Sequence, residues 1–164
     1  VAPIAPATAA ALKDAGIDKE QLQGAWVGNA SQGVLQGQES VRGQVVLRDM
    51  GIGLIPVINV ENACASASTA LHGAWTAVKA GLYDCALAMG VEKQYNEDRA
   101  KVMQSFIAGT DVQEMTARVA ELREAEKKKR EELRPLRGRS YAARSRTTFS
   151  SLPLSFPIII LKRL

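Results

Sequence analysis

Cys64 lies at a position in the sequence that favours a reactive thiol. Cys64 follows an apolar, β-branched segment at 55–60 and precedes a run with helical spacing from about Ala65. In the first turn of a helix, free backbone N–H groups and the helix dipole stabilise a thiolate, and the same groups can hold the oxyanion of a thioester under attack. Because Ala63, Ala65 and Ser66 are small, the sequence predicts a nucleophile that a substrate can reach.

The alternative is that Cys64 is a small buried core residue, as cysteine often is, and its position alone leaves the two interpretations even. No partner for the sulfur stands out. His72 lies eight residues later on the same predicted helix, which is ~12 Å further along the axis and out of hydrogen-bond reach, so we expect a surface or packing residue. Cys85 falls within a strand of small apolar residues, where a buried structural thiol is expected.

Helices and short buried strands alternate around Cys64, which predicts an α/β layered domain. Each of three expected helices is followed by a glycine that can end it, and Thr8 is the expected N-cap of the first. Further on, Asp111 and Glu114 resemble a capping box at the start of a long amphipathic helix that Pro135 would end. The helices are expected at 8–15, 41–50 and 65–80, and the strands at 25–29, 55–60 and 85–90.

Composition and charge restrict the class of protein. With 164 residues, 46% apolar and 23% charged, the chain has room for one ordinary globular domain. Two cysteines and no signal-peptide pattern disfavour a disulfide-stapled secreted scaffold. A cytoplasmic protein is therefore expected, with a peroxisomal or mitochondrial location as the alternative.

The excess of positive charge lies at the carboxyl end. Residues 134–164 hold seven basic and no acidic side chains, whereas residues 1–133 hold 14 basic and 17 acidic ones. This tail has few aromatic residues, so we expect a solvated, disordered segment and no nucleic-acid partner. Its apolar run at 152–161 is too short to span a bilayer.

Several segments resemble, in order and spacing, the N-terminal half of the thiolases. The resemblance covers about residues 8–125 and is strongest for the branch with sterol-carrier-protein thiolases and acetyl-CoA acetyltransferases. The segments that carry it are ALKDAGID at 11–18, VGN at 27–29, GQESVR at 37–42, VENACAS at 60–66 and GLYDCALAMGVEK at 81–93.

The resemblance implies an incomplete thiolase-like layered α/β domain with a long amphipathic helix and an irregular basic tail. Residues 1–92 would form the α/β core, 93–133 a helical start of the loop region that covers coenzyme A, and 134–164 a tail outside the family pattern. The family also has a central strand that would precede Val1. We therefore expect a chain cut at both ends and a gap between two neighbouring strands of its sheet.

The resemblance further implies a function for Cys64. It corresponds to the nucleophile that takes an acyl group from a coenzyme A thioester, in 3-ketoacyl-CoA thiolysis or acetyl-CoA condensation. Coenzyme A would enter as part of the substrate, with no bound cofactor and no metal. In the family, the strand at 55–60 lies at the sheet edge and pairs with its counterpart across a twofold axis, which implies a homodimer.

Other family motifs are missing from this sequence. The acid/base and oxyanion groups come from an Asn-Glu-Ala-Phe-type motif, a Gly-His-Pro histidine and a Cys-x-Gly cysteine, and none of these occurs in the 164 residues. We therefore expect little thiolase activity from this chain alone. The alternative is a non-catalytic, thiolase-like protein that binds acyl-CoA or a partner.

Overall fold

Helices and strands alternate through the part of the chain that the computed structural model describes, residues 4–133 and 158–162. The helices are α1 (Ile4–Ala15), α2 (Gln32–Gln36), α3 (Arg42–Asp49), α4 (Ser66–Lys79), α5 (Arg99–Ile107) and α6 (Val112–Leu133). The strands are β1 (Gly24–Gly28), β2 (Val57–Val60), β3 (Cys85–Gly90) and β4 (Ile158–Lys162), and 3-10 turns occur at Lys19–Gln21 and Ala63–Ala65. None of the described helices combines the length and the hydropathy that a membrane span requires.

The four strands form one sheet in the order β2-β1-β3-β4. Strands β1, β2 and β3 are parallel, and Ala25 of β1 lies opposite Val57 of β2 and Leu87 of β3. Parallel strands with helical connections are typical of an α/β domain, so the predicted fold class is confirmed. The carboxyl ends of the three parallel strands, at Gly28, Val60 and Gly90, meet at the same edge of the sheet.

The sheet has no gap between β1 and β3, so the expectation of one is wrong for the described residues. The two strands pair directly along their whole register, from Gly24 opposite Ala86 to Gly28 opposite Gly90. All six residues of β3 are buried. Its alanines Ala86 and Ala88 pack with Ala74 of α4, and such small side chains allow a helix to approach the strands closely.

Residues 158–162 differ from the irregular tail expected over 134–164. They form β4, which runs antiparallel to β3 with Ile158 opposite Met89 and Lys162 opposite Cys85. Three consecutive isoleucines favour a strand, because β-branched side chains pack well on a pleated surface. Residues 134–157 and 163–164 lie outside the described residues, so the disorder expected there stays a prediction.

Several element boundaries also depart from the sequence pattern. Helix α1 begins at Ile4, so Thr8 is not its cap; the buried Thr8 hydroxyl donates to the Ile4 carbonyl at 2.9 Å. Helix α2 was not expected, whereas α5 lies within residues 93–133, which were expected to be helical. The predicted start of the long helix is confirmed, since Asp111 Oδ1 accepts hydrogen bonds from the N–H groups of Gln113 and Glu114, each at 3.0 Å.

The chain divides into two compact units, Val1–Ser105 with Ser155–Leu164, and Phe106–Leu154. The first unit contains the sheet and helices α1 to α4, and its largest fully buried side chains include Leu47, Leu87 and Met89. The second contains α6, whose described side chains are mostly exposed. The family-based boundaries after residues 92 and 133 stay a prediction.

Candidate functional site

The loops that follow the three parallel strands lie together at one edge of the sheet. They comprise residues 29–31 after β1, 61–65 after β2 and 91–94 after β3. Ligands of open α/β sheets bind at this edge, outside the carboxyl ends of the strands. Cys64 is in the second of these loops, where the sequence pattern places it.

Cys64 is exposed, so the alternative of a buried core residue is wrong. It lies in the 3-10 turn Ala63–Ala65, which leads directly into α4. The preceding residue, Ala63, has a φ of +44°. Residues other than glycine seldom adopt this left-handed region, and such backbone strain often occurs at functional sites.

The Ser66 side chain stabilises this turn by hydrogen bonds to its backbone. The side chain is buried, and its hydroxyl donates to the Ala63 carbonyl at 2.8 Å and accepts from the Asn62 N–H at 2.9 Å. The Ala63 N–H donates to Glu61 Oε1 at 2.7 Å. These bonds fix the backbone on both sides of Ala63 and thereby the placement of Cys64. The sequence singled out Ser66 only as a small neighbour, although serine is common at helix starts.

Gly28 brings the start of α4 against the end of β1. A Cβ atom built on Gly28 would lie 2.6 Å from the Ser66 carbonyl carbon and oxygen and 2.8 Å from the Ala67 nitrogen. Only a residue without a side chain allows this approach of two backbones. The sequence shows a glycine here, but the pattern gives no sign that the strand meets the helix at this point.

A network of polar groups joins the other two loops. The Glu92 carboxylate accepts hydrogen bonds from the N–H groups of Ala30 and Ser31, with shortest distances of 2.8 and 3.1 Å. Asn29, which is buried, donates its side-chain amide to the Val91 carbonyl at 2.6 Å and to Glu92 at 3.3 Å. Arg42 Nη1 donates to the Asn29 carbonyl at 3.0 Å. Sequence reasoning did not assign this network.

The two remaining candidates occupy the positions expected of them. His72 is exposed and lies beside Trp75 on α4, with ring centroids 6.3 Å apart. Cys85 is buried at the start of β3, and burial raises the pKa of its thiol above the ordinary value, with the Lys162 ammonium opposing the shift. Where the structure describes the chain, no three His, Cys, Asp or Glu side chains are placed to hold a metal ion.

We expect iodoacetamide to modify Cys64 well before Cys85 at neutral pH. Cys64 is exposed, whereas Cys85 has 6% of its surface exposed and a raised pKa, so little of its reactive thiolate forms. The ratio of the Cys64 labelling rate to that of Cys85 should decrease as the pH rises and Cys85 ionises. Peptide mapping after brief labelling of the folded chain measures both rates, and faster modification of Cys85 would contradict the assignment.

Comparison with known proteins shows a match to one protein family and to several of its members. The model of the family described as "Thiolase, N-terminal domain" matches residues 4–132. Benzoylsuccinyl-CoA thiolase subunit BbsB of Thauera aromatica is 43% identical over 84 residues, which are 50% of this chain and 20% of that protein. Acetyl-CoA acetyltransferase of Methanothermobacter thermautotrophicus is 39% identical over 83 residues, 51% of this chain and 21% of that protein.

The matched segment therefore spans about a fifth of the length of these relatives. Among solved structures, the tetronic acid condensing enzyme AbyA1 is similar with a TM-score of 0.46 and 24% identity, over 52% of this chain and 27% of that one.

Proposed function

Because this chain belongs to the thiolase family and matches its N-terminal domain, we propose that it carries the nucleophile of a thiolase-class acyltransferase, Cys64. The observation that supports this most directly is the exposed Cys64 in a strained turn at the carboxyl edge of the sheet. The substrate would be a coenzyme A thioester, in 3-ketoacyl-CoA thiolysis or acetyl-CoA condensation. Two relatives point the same way, since one is named a CoA thiolase and the other an acetyl-CoA acetyltransferase.

The proposed chemistry is transfer of an acyl group to sulfur. The Cys64 thiolate attacks the thioester carbonyl carbon and forms a new C–S bond, while the C–S bond to coenzyme A breaks and its thiolate leaves to take up a proton. The oxyanion that develops on the thioester oxygen needs N–H donors. The N–H groups of Asn62, Ala63 and Ala65 already donate to Ser66 Oγ, Glu61 Oε1 and the Asn62 carbonyl, so the donor that this turn would offer is the Cys64 N–H.

The full reaction needs a second acid/base that moves a proton on the other substrate. The Gly-His-Pro and Cys-x-Gly segments do not occur in these 164 residues, and the one histidine, His72, is two turns away along α4. We therefore expect this chain alone to stop at the acylated cysteine and to turn over slowly or not at all.

Acetyl-CoA is expected to acetylate Cys64 of the purified chain and to release coenzyme A in equal amount. Mass spectrometry of the Cys64 peptide and a thiol assay measure the two products. The Cys64→Ala variant should lose both, whereas Cys85→Ala should keep them, because Cys85 is buried away from solvent. A chain that binds acetyl-CoA without forming the adduct would instead be the non-catalytic, acyl-CoA-binding alternative.

We also propose a homodimer through the segment 55–60. Strand β2 lies at one edge of the sheet, and Ile58 is 38% exposed there. An edge strand offers N–H and C=O groups to another strand, and Pro56 precedes the strand without blocking its later positions.

Association is expected at micromolar concentration and should weaken in Ile58→Lys, because a charge on an edge strand opposes pairing. Sedimentation measures it, with Leu82→Lys as the control, since Leu82 is exposed and lies outside the strands. A monomer at all concentrations, or equal loss of association in both variants, would contradict the proposed interface.

A further inference from the structure

The Glu92 carboxylate anchors the loop after β1 by accepting hydrogen bonds from N–H groups of that loop. Its two oxygens accept from the N–H groups of Ala30 and Ser31 and from the side-chain amide of Asn29, at 2.8, 3.1 and 3.3 Å respectively. An ionised carboxylate only accepts hydrogen bonds, and its bonds to N–H groups are stronger than those between neutral groups. The N–H donors around Glu92 therefore match the two acceptor oxygens of a carboxylate.

Asn29 connects this loop by hydrogen bonds to the carboxyl ends of β2 and β3. Its backbone N–H donates to the Val60 carbonyl at 3.0 Å, and its side-chain amide donates to the Val91 carbonyl at 2.6 Å. Its Oδ1 accepts from the N–H of Gln32, at the start of α2, at 3.1 Å. The carboxyl ends of all three parallel strands are therefore joined at this one buried residue, through its backbone N–H and its side chain.

The two ends of the Cys64 turn rest on two neighbouring residues, Gly28 at the end of β1 and Asn29 directly after it. The turn departs from Val60, which Asn29 holds, and it enters α4 at Ser66, whose backbone lies against Gly28. A shift of residues 28–29 would move the two anchors of the turn together. Cys64 would then lose its placement even though neither Glu92 nor Asn29 is bonded to it.

We propose that Glu92 is a positioning residue for Cys64, acting through Asn29 and the ends of the parallel strands. The proposal rests on the proposed function insofar as it concerns acyl transfer, but the restraint on the turn is independent of that reaction. The role requires an acceptor with two oxygens, so Glu92→Gln, which keeps the size and replaces one oxygen by a donor, is the appropriate change.

In Glu92→Gln, acetylation of Cys64 at saturating acetyl-CoA is expected to slow about tenfold, since misplacement affects the reacting atom more than binding. The acetyl-CoA concentration that gives half the maximal rate of acetylation should change little. Deuterium exchange should accelerate in the peptide containing 61–66 as well as at 29–32. Glu97→Gln is the control, because Glu97 is an exposed glutamate of the same connection between β3 and α5. Glu92→Asp keeps the charge with a shorter reach, and it should be intermediate in both measurements.

Exchange that changes only near 29–36 and 91–94 would mean a purely local role and would overturn the proposal, as would wild-type behaviour of Glu92→Gln. If Glu92→Gln fails to fold, the comparison of Glu92→Asp with the wild type decides. If the wild-type chain is not acetylated, the proposed function fails, and faster exchange at 61–66 in the Glu92 variants still supports the positioning role.

Discussion

Gly28→Ala is expected to destabilise the protein by about 1–3 kcal/mol, the usual cost of forcing an extra carbon into a packed site. The new Cβ would meet the Ser66 carbonyl group at 2.6 Å, and backbone atoms cannot rotate away as a side chain would. The smaller conformational entropy of unfolded alanine offsets about 0.4–1 kcal/mol of this loss. The start of α4 must move, so Cys64 should also change its alkylation rate.

Urea denaturation at one protein concentration measures the stability, and iodoacetamide labelling measures the reactivity of Cys64. Gly53→Ala is the matched control, because a Cβ on Gly53 meets nothing within 4 Å and its φ is not positive. It should leave both measurements close to those of the wild type. Unchanged stability and unchanged labelling in Gly28→Ala would show that the close contact between β1 and α4 is wrong.

The sequence predicted the structure best where the spacing of apolar residues and a specific residue, such as a helix-ending glycine, indicated the same element. The glycines Gly16, Gly51 and Gly81 each have a positive φ and follow the helices that they were expected to end. The buried strand at 85–90 and the Asp111 cap were also predicted correctly. For the glycines and the cap the interactions lie within a few residues, which is the range that a sequence pattern reports. The strand at 85–90 was evident from its own run of apolar residues.

The rest depended on contacts between distant parts of the chain. The pairing of β1 with β3 joins residues about 60 positions apart, and β4 joins Met89 to Ile158. Neither can be read from spacing alone, and the family pattern predicted a gap where the strands pair. The exposure of Cys64 likewise required knowing what packs around its turn.

The positioning network illustrates the same limit at the site. Glu92 was part of a family-like segment, but its role depends on N–H groups of Ala30 and Ser31, more than sixty residues earlier. Asn29 was likewise part of a family-like segment, at the end of a predicted strand, but its hydrogen bonds to the two neighbouring strand ends could not be predicted. Sequence therefore pointed to the proposed nucleophile, whereas the groups that we propose to place it became evident only from the fold.

Ser66→Ala tests that placement most directly, and we expect it to slow acetylation of Cys64 by roughly 5–30-fold. Removing the hydroxyl leaves the Asn62 N–H and the Ala63 carbonyl without the partner they share. A lost hydrogen bond at a partly buried site costs about 1–2 kcal/mol, which corresponds to that range of rates if the turn must be ordered for attack.

The control for this prediction lies in the same helix as Ser66. Ser68 is exposed on α4, so Ser68→Ala makes the same chemical change without touching the turn and should react like the wild type. Ala63 is in the left-handed region at a φ of +44°, a strained conformation that persists only where neighbouring bonds impose it. Without the Ser66 hydroxyl the turn can relax, and Cys64 then samples orientations that do not face the thioester. Equal acetylation rates in Ser66→Ala and Ser68→Ala would mean that this strained turn does not place the nucleophile.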